Sequence, residues 1–330
     1  MLGDSDVGQR VVVRRFVGIG PQDRPLFSDL LGELVASSSE RLIVRTPDGT
    51  EHAIDRSDVA AAKRVPPRTP KYSEIAHLER VADEAWPAPV RERLGDWVLR
   101  AADGFTNRAN SVLPIGDPGR PLEAAVDACE AWYRERGLPP RITTPLPLRR
   151  DLDRLLAARG WVAQTPVQVQ TATLASVLAA IAPTGPHGRL ASSPTATVTL
   201  REEPSDDLLA VVAGRKGGLP AAARGLLTAV RQVRFAEVYA ASGRLAAAAR
   251  GAIVGDGQWL HVGLVEVIEG HRRQGLAQQV TRALAAWAAQ LGAGRAVLQV
   301  DSENSPALRL YAGLGFATHH RYVTHWLPSR

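Results

Sequence analysis

Val267-Ile268-Glu269-Gly270-His271-Arg272-Arg273-Gln274-Gly275-Leu276-Ala277 is the stretch whose reading decides the fold. A run rich in apolar residues, Trp259 to Val267, ends in it and predicts a strand. A helical pattern begins in it, over 275–291, with Leu276, Val280, Leu284, Trp287 and Leu291 sharing one face. Gly275 and Ala277 are small, so main-chain N–H groups at the junction can approach an anion closely. The helix that starts there adds the positive end of its dipole, and Arg272 adds a formal charge with a planar donor fork. A strand that feeds a glycine turn opening a helix is the setting a pyrophosphate requires.

About thirty residues further on stands Asn304-Ser305-Pro306-Ala307-Leu308-Arg309-Leu310-Tyr311-Ala312-Gly313-Leu314-Gly315-Phe316. Asn304 is a favoured helix cap, Tyr311 follows about two turns later, and Gly315 ends the helix before an aromatic enters the last strand. Working outward, the pattern predicts a strand over 196–201 and helices over 205–213 and 219–230. Strands at Arg234–Ala240 and Arg244–Ile253 follow, then Trp259–Val267, the helix, Ala296–Val300, a helix over 304–313 and a strand over 316–326. That order, β-α-α-β-β-β-α-β-α-β, implies a mixed sheet with helices on both faces.

Taken together, the two stretches resemble the acetyl-CoA site of the GNAT superfamily of N-acetyltransferases, over about residues 195–327. The resemblance implies acetyl-CoA as co-substrate and a role for each matching position. Val267, with Ile268 beside it, would offer main-chain hydrogen bonds to the pantetheine arm and the acetyl carbonyl. Arg272, Arg273, Gln274, Gly275, Leu276 and Ala277 would line the pyrophosphate turn, with Ala277 where a glycine is commoner. Asn304 would touch the pantetheine arm, and Tyr311 would protonate the departing thiolate. His261 falls where several family members carry a glutamate base, and Glu266 is the second candidate. Strand alternation sets these two on opposite faces unless a bulge intervenes.

Upstream, residues 7–65 read as four or five short strands with a hairpin turn at Asp48-Gly49, which predicts a small barrel of the Src-homology-3-like type over 1–67. Pro66-Pro67-Arg68-Thr69-Pro70 reads as a linker, and Thr184 to Pro194 as a Gly/Ser/Pro-rich loop. Between them, 72–85 and the segment after Pro121 look helical. Cys129 lies on the core stripe of the second helix, and Trp97–Ala101 and Ala109–Leu113 look like strands about an Asp103-Gly104 hairpin. Leu155-Leu156-Ala157-Ala158-Arg159-Gly160-Trp161 echoes the corner at Leu310–Phe316, with Leu156 in the place of Tyr311 and no phosphate turn before it. Residues 72–180 are therefore expected to be a degenerate copy of the catalytic domain at 191–330. The expected class is α+β: barrel, degenerate half, catalytic half. The whole chain resembles an actinobacterial GNAT family with an N-terminal Src-homology-3-like domain, some of whose members are described as histone-type or protein acetyltransferases.

Composition agrees with this reading. The 330 residues carry 45% hydrophobic and 22% charged side chains, so a soluble protein of several domains is expected. No apolar run approaches eighteen residues, and the first residues lack the basic and apolar regions of a signal peptide. A cytoplasmic protein with no membrane partner is expected. The net charge of +6 is concentrated in residues 191–330, which hold 15 Lys/Arg against 10 Asp/Glu. A polyanionic cofactor accounts for that excess without nucleic acid. One cysteine rules out an internal disulfide, and its distance from the motifs disfavours a covalent acetyl-enzyme. His319, His320 and His325 share one strand without further ligands, so no metal is expected. The leading reading is direct acetyl transfer, in a ternary complex, to a primary amine: a lysine or N-terminus of a protein or peptide, or a small-molecule amine. The alternative is a non-catalytic acetyl-CoA-binding sensor.

Overall fold

β-Branched runs broken by glycine and polar turns give the N-terminal residues to a single sheet. The computed structural model describes residues 2–3, 6–46, 49–66, 69–180 and 197–328 and divides into two units, Met1–Thr69 and Pro70–Arg330. The first unit holds β1 (Arg10–Ile19), β2 (Pro25–Ser37), β3 (Arg41–Arg45), β4 (Glu51–Asp55) and β5 (Val59–Arg64). All pair antiparallel in the order β4-β3-β2-β1-β5. Irregularities at Phe16/Gly18 in β1 and Leu34/Ala36 in β2 interrupt the register. Val11, Val13, Leu34, Leu42, Val44 and Ile54 form the core of this unit. Where a small barrel of the Src-homology-3-like type is expected, the unit holds a five-stranded antiparallel sheet. Its edge strands β4 and β5 are joined by one 3-10 turn, Arg56–Asp58, and pair only inward, to β3 and β1, among the described residues. Asp48, part of the linker (Pro67, Arg68) and the Thr184–Pro194 loop lie outside the described residues.

The second unit opens with α1 (Tyr72–Glu84), the hairpin β6 (Val90–Leu94) and β7 (Trp97–Ala101), α2 (Leu122–Glu135), β8 (Arg141–Leu146) and α3 (Arg150–Ala158). β9 (Val162–Ala163), β10 (Val167–Thr173) and α4 (Leu174–Ala179) follow. After the segment outside the described residues come β11 (Val198–Arg201), α5 (Asp206–Lys216), α6 (Ala222–Thr228), β12 (Val233–Tyr239), β13 (Leu245–Val254) and β14 (Trp259–Val267). The chain ends with α7 (Leu276–Gln290), β15 (Arg295–Asp301), α8 (Ser305–Gly313) and β16 (Ala317–Trp326). From β11 onward the order of elements is the one the pattern predicts. Ala109–Leu113 is no strand: it makes only the isolated bridges Val98↔Leu113 and Val112↔Ile142. The Asn110 side chain holds the turn instead, with Oδ1 accepting from the N–H groups of Ala102 at 2.8 Å and Gly104 at 2.9 Å. A side chain that satisfies the backbone in this way competes with a ladder.

One sheet runs β11-β12-β13-β14-β15-β10-β16-β8, with β9 beside β16. β10 lies between β15 and β16 and pairs antiparallel with both, from Val167↔Asp301 to Thr173↔Arg295 and from Val167↔Tyr322 to Thr171↔Ala317. Strands from 72–180 and from 191–330 are thus joined in one ladder. β13, Leu-Ala-Ala-Ala-Ala-Arg-Gly-Ala-Ile-Val, is buried along its whole length, as a strand covered on both faces must be. Its small residues admit helices closely: a Cβ at Gly251 would stand 2.8 Å from Leu284 of α7. One face of the sheet, with Ala247, Leu260 and Val262, packs on α7 and α8. The other, with Ala248, Ala252 and Phe235, packs on α1, α5 and α6.

The echo between Leu156 and Tyr311 has a structural counterpart. Trp161 N–H donates to the Leu156 carbonyl at 3.0 Å, and Phe316 N–H to the Tyr311 carbonyl at 2.9 Å. Gly160 at φ 78° and Gly315 at φ 84° are left-handed in both, which is how glycine closes a helix.

Candidate active site

Two interruptions of regular structure build the site. The first is the end of the parallel ladder between β14 and β15. It runs from Trp259↔Arg295 to Val262↔Leu298 and stops there, although β14 continues to Val267 and β15 to Asp301. Beyond Val262, β14 loses its ladder partner on that side, and main-chain groups there need another one. The second is a bulge in β14. Gly263 pairs with Arg250 and Glu266 with Ala248, so Leu264 and Val265 together oppose Ala249. Leu264 adopts φ 50°, a conformation a leucine holds only at a cost of about 1–2 kcal/mol.

The bulge shifts the alternation by one residue. His261 and Glu266 oppose Ala252 and Ala248, which share a face, so both project to the α1 side of the sheet. Val265 and Val267 pack on the opposite side, with α7 and α8.

The turn before α7 is exposed from Arg272 to Gly275. Arg273 at φ 65° and Gly275 at φ 76° are left-handed, backbone of the kind that gathers N–H groups into an anion-binding concavity. None of the N–H groups from Arg273 to Ala277 donates to a main-chain carbonyl among the described residues. The first helical bond there is Gln279 N–H to the Gly275 carbonyl, 3.1 Å. Open space surrounds the position of a Gly275 Cβ. Arg272 Nε donates to the Val267 carbonyl at 3.4 Å, tying the turn to the end of β14.

Tyr311 lies on α8, almost buried, in one apolar cluster with Leu276, Val262, Val265 and Val267. Its ring meets Phe316 edge-on at 5.8 Å. The glycine turn before α7, the strand end and the tyrosine are therefore brought to one side of the sheet. Ile268 lies next to the strand end, and its N–H donates to the Ala246 carbonyl at 2.9 Å. Asn304 Oδ1 accepts from the Ala307 N–H at 3.1 Å, so this side chain caps α8.

On the other side, His261 is fully buried. Its Nε2 pairs with Gln299 Oε1 at 3.0 Å, and its ring lies edge-on to Trp86 at 6.1 Å. Burial, with the Arg108 and Arg250 charges nearby, pushes its pKa down to about 3. Histidine near its ordinary value, as a proton acceptor at that position would need, is therefore replaced by a permanently neutral ring. Glu266 is only half-buried.

Sequence reasoning missed what surrounds His261. Glu79 and Asp83 of α1, Arg100 of β7, Arg108, Gln299 of β15 and Tyr322 of β16 line a narrow pocket. Burial works to raise the pKa of Asp83, but Arg100 and Arg91, each at 2.5 Å, outweigh it and hold the carboxyl below its usual range. Glu79 Oε1 meets His320 Nε2 at 2.7 Å, and His325 Nε2 meets Asp153 Oδ1 at 2.8 Å. His320 and His325 of β16 thus each face a carboxylate, while His319 Nδ1 meets His320 Nδ1 at 2.8 Å. One signal for this pocket was present: two carboxylates, Glu79 and Asp83, four residues apart among the core positions Ile75, Leu78, Val81 and Ala82.

Comparisons with known proteins give the family and the fold. The family model described as "Probable histone acetyltransferase Rv0428c C-terminal" matches residues 72–324. The uncharacterized N-acetyltransferase YobR of Bacillus subtilis is 30% identical over 260 residues, covering 76% of this chain and 98% of its own. The probable histone acetyltransferase Rv0428c of Mycobacterium tuberculosis is 28% identical over 334 residues, covering 100% of this chain and 98% of its own. Among solved structures, a GCN5-related N-acetyltransferase from Kribbella flavida superposes with a TM-score of 0.54 at 16% identity, over 78% of this chain and 96% of that one. A tandem GNAT protein from the clavulanic acid biosynthesis pathway gives a TM-score of 0.51 at 16% identity, over 81% and 91%.

Proposed function

The chain belongs to the family of the Rv0428c C-terminal acetyltransferase domain and is a GNAT N-acetyltransferase, and from that premise we propose that it moves an acetyl group from acetyl-CoA to a primary amine, with both substrates bound at once. The observation that carries this reading is the early end of the β14–β15 ladder beside the N–H groups of Arg273–Ala277, which have no main-chain acceptor among the described residues. The turn takes the pyrophosphate, with Arg272, Gln274 and Leu276 around it. The pantetheine arm follows β14, where Val267 and Ile268 offer main-chain groups, and passes the N-terminal end of α8 at Asn304. The thioester then lies where the β14–β15 ladder stops.

The acceptor enters from the α1 face. Its amine must be neutral to attack, although a lysine holds its proton to a pKa of about 10.4. Glu266, brought to that face by the bulge, takes the proton. His261, neutral and held by Gln299, positions the acceptor side. As the C–N bond forms, charge gathers on the carbonyl oxygen and meets a strand N–H, a donor worth about 10²–10³ in rate. The C–S bond breaks, the Tyr311 hydroxyl protonates the thiolate, and the second proton lost by the amine nitrogen passes to water, from which the tyrosinate is reprotonated. Residues 72–180 act on this reading as a degenerate copy that has kept the helix–glycine corner and supplies the wall of the acceptor side.

The direct test is release of free thiol from acetyl-CoA with and without amines. Release that depends on an added amine, together with its acetylated product, is the expected result. Acetyl-CoA binding with no amine-dependent release would end the reading.

A further inference from the structure

Around His261 stands a group of buried donors. Arg250, on β13 opposite Gly263, is fully buried. Its Nε donates to the Leu227 carbonyl at 2.8 Å, and its guanidinium lies over the Trp86 ring at 4.6 Å. These contacts use one nitrogen and one face, and both terminal nitrogens have no partner among the described residues. Arg108, half-buried at the wall of the narrow pocket, donates from Nη2 to the Gln299 carbonyl at 3.5 Å, and its buried Nε has no partner among the described residues; Trp86 Nε1 and His261 Nδ1 have none either. The acids nearby are taken. Asp83 is paired with Arg91 and Arg100, and Glu79 with His320. Neither Arg108 nor Arg250 makes an ion pair with a carboxylate among the described residues. A buried guanidinium with open donors calls for an anion, and its planar fork fits a carboxylate. The pocket has a free volume of about 20 Å³, so it admits the end of a slender molecule.

We infer that the acceptor is a small primary amine that also carries a carboxylate, and that Arg108 takes the carboxylate with the uncompensated Arg250 charge behind it. This rests on the acetyltransferase reading above. Arg108 meets the acid group at the pocket wall; Arg250 stands outside the pocket's lining, over the Trp86 ring that His261 also meets, and adds its charge there. An internal lysine of a protein brings no such group, so the site selects free amino acids over protein side chains.

The test uses matched slender pairs, γ-aminobutyrate with butylamine and lysine with cadaverine, on the full chain. Each is added to the CoA-saturated protein, and the thermal midpoint is followed, with acetyl transfer measured in parallel. The acid member of each pair is expected to raise the midpoint where its partner does not, and to be acetylated with at least tenfold higher kcat/KM. Arg250→Met fills the core with an unbranched chain and Arg108→Gln is the milder variant. Each is expected to abolish the preference for the acid member, and CoA binding by each variant reports that it has folded. Equal midpoints within a pair, a preference that survives both variants, or faster acetylation of an internal peptide lysine than of any amino acid would overturn the inference. If CoA binds and no amine is acetylated, the transferase reading fails, while the midpoints still judge the carboxylate site.

Discussion

Tyr311 and His261 lie on opposite faces of the sheet, and their surroundings set opposite duties. Tyr311 is packed against Phe316 and the strand end, so a ring without its hydroxyl keeps the packing and loses the proton. Tyr311→Phe should lower kcat by about 10²-fold while leaving acetyl-CoA affinity nearly unchanged; steady-state kinetics with calorimetry checks both halves. His261 is held neutral, with its pKa pushed down to about 3, while in the unfolded chain it titrates near 6.5. The unfolded state therefore binds the extra proton, and the stability due to this residue is full above pH 6.5 and lost as pH falls towards 3. Between pH 7.5 and 5 that loss is about 2 kcal/mol. His261→Gln should remove this part of the pH dependence in urea titrations, and an unchanged slope would show that the ring titrates normally.

At the scale of elements, irregular backbone carries the chemistry. A regular β14 would turn Glu266 away from His261; the bulge at Leu264 turns it back. The first N–H groups of any helix lack an acceptor within it. With Arg273 and Gly275 left-handed, the N–H groups from Arg273 to Ala277 have no main-chain acceptor among the described residues. Gly275→Glu should abolish acetyl-CoA binding, because it strains a position at φ 76° and sets a negative charge where the pyrophosphate belongs. The space around that position is open, so the variant should remain folded. Unaltered affinity in calorimetry would remove the turn from the cofactor site.

At the scale of the molecule, the sheet is a joint product of two stretches of chain. β10 fills the place between β15 and β16, and without it both would present long unpaired edges. A fragment of residues 191–330 alone should therefore be aggregated or unfolded by circular dichroism and sedimentation, and co-expression with residues 70–180 should recover a soluble complex. A folded, monomeric fragment would show that β10 is dispensable. No helix among the described residues is long and apolar enough to cross a membrane.

Local signals were legible because they are written in consecutive residues. The glycine turn before α7, the Asn304 cap, the corner at Gly315 and the order of elements from β11 to β16 follow from spacing and turn chemistry, and the comparisons agree with the family those motifs suggested. Sequence-distant pairing was not legible. Whether the N-terminal strands close into a barrel depends on β4 meeting β5, and the tight turn between them gives no sign of it. The bulge in β14 is a matter of register against β13, invisible within β14 itself. The polar pocket gathers α1, β7, the Arg108 loop, β15 and β16 from across 240 residues of chain, and the depressed pKa of His261 follows from their packing. The sequence alone determined the motifs, because hydrogen-bond chemistry at a helix end is local. Only the tertiary structure decided which side chains share a face and which charges go unpaired, because burial and electrostatics act between residues that are neighbours in space and strangers in sequence.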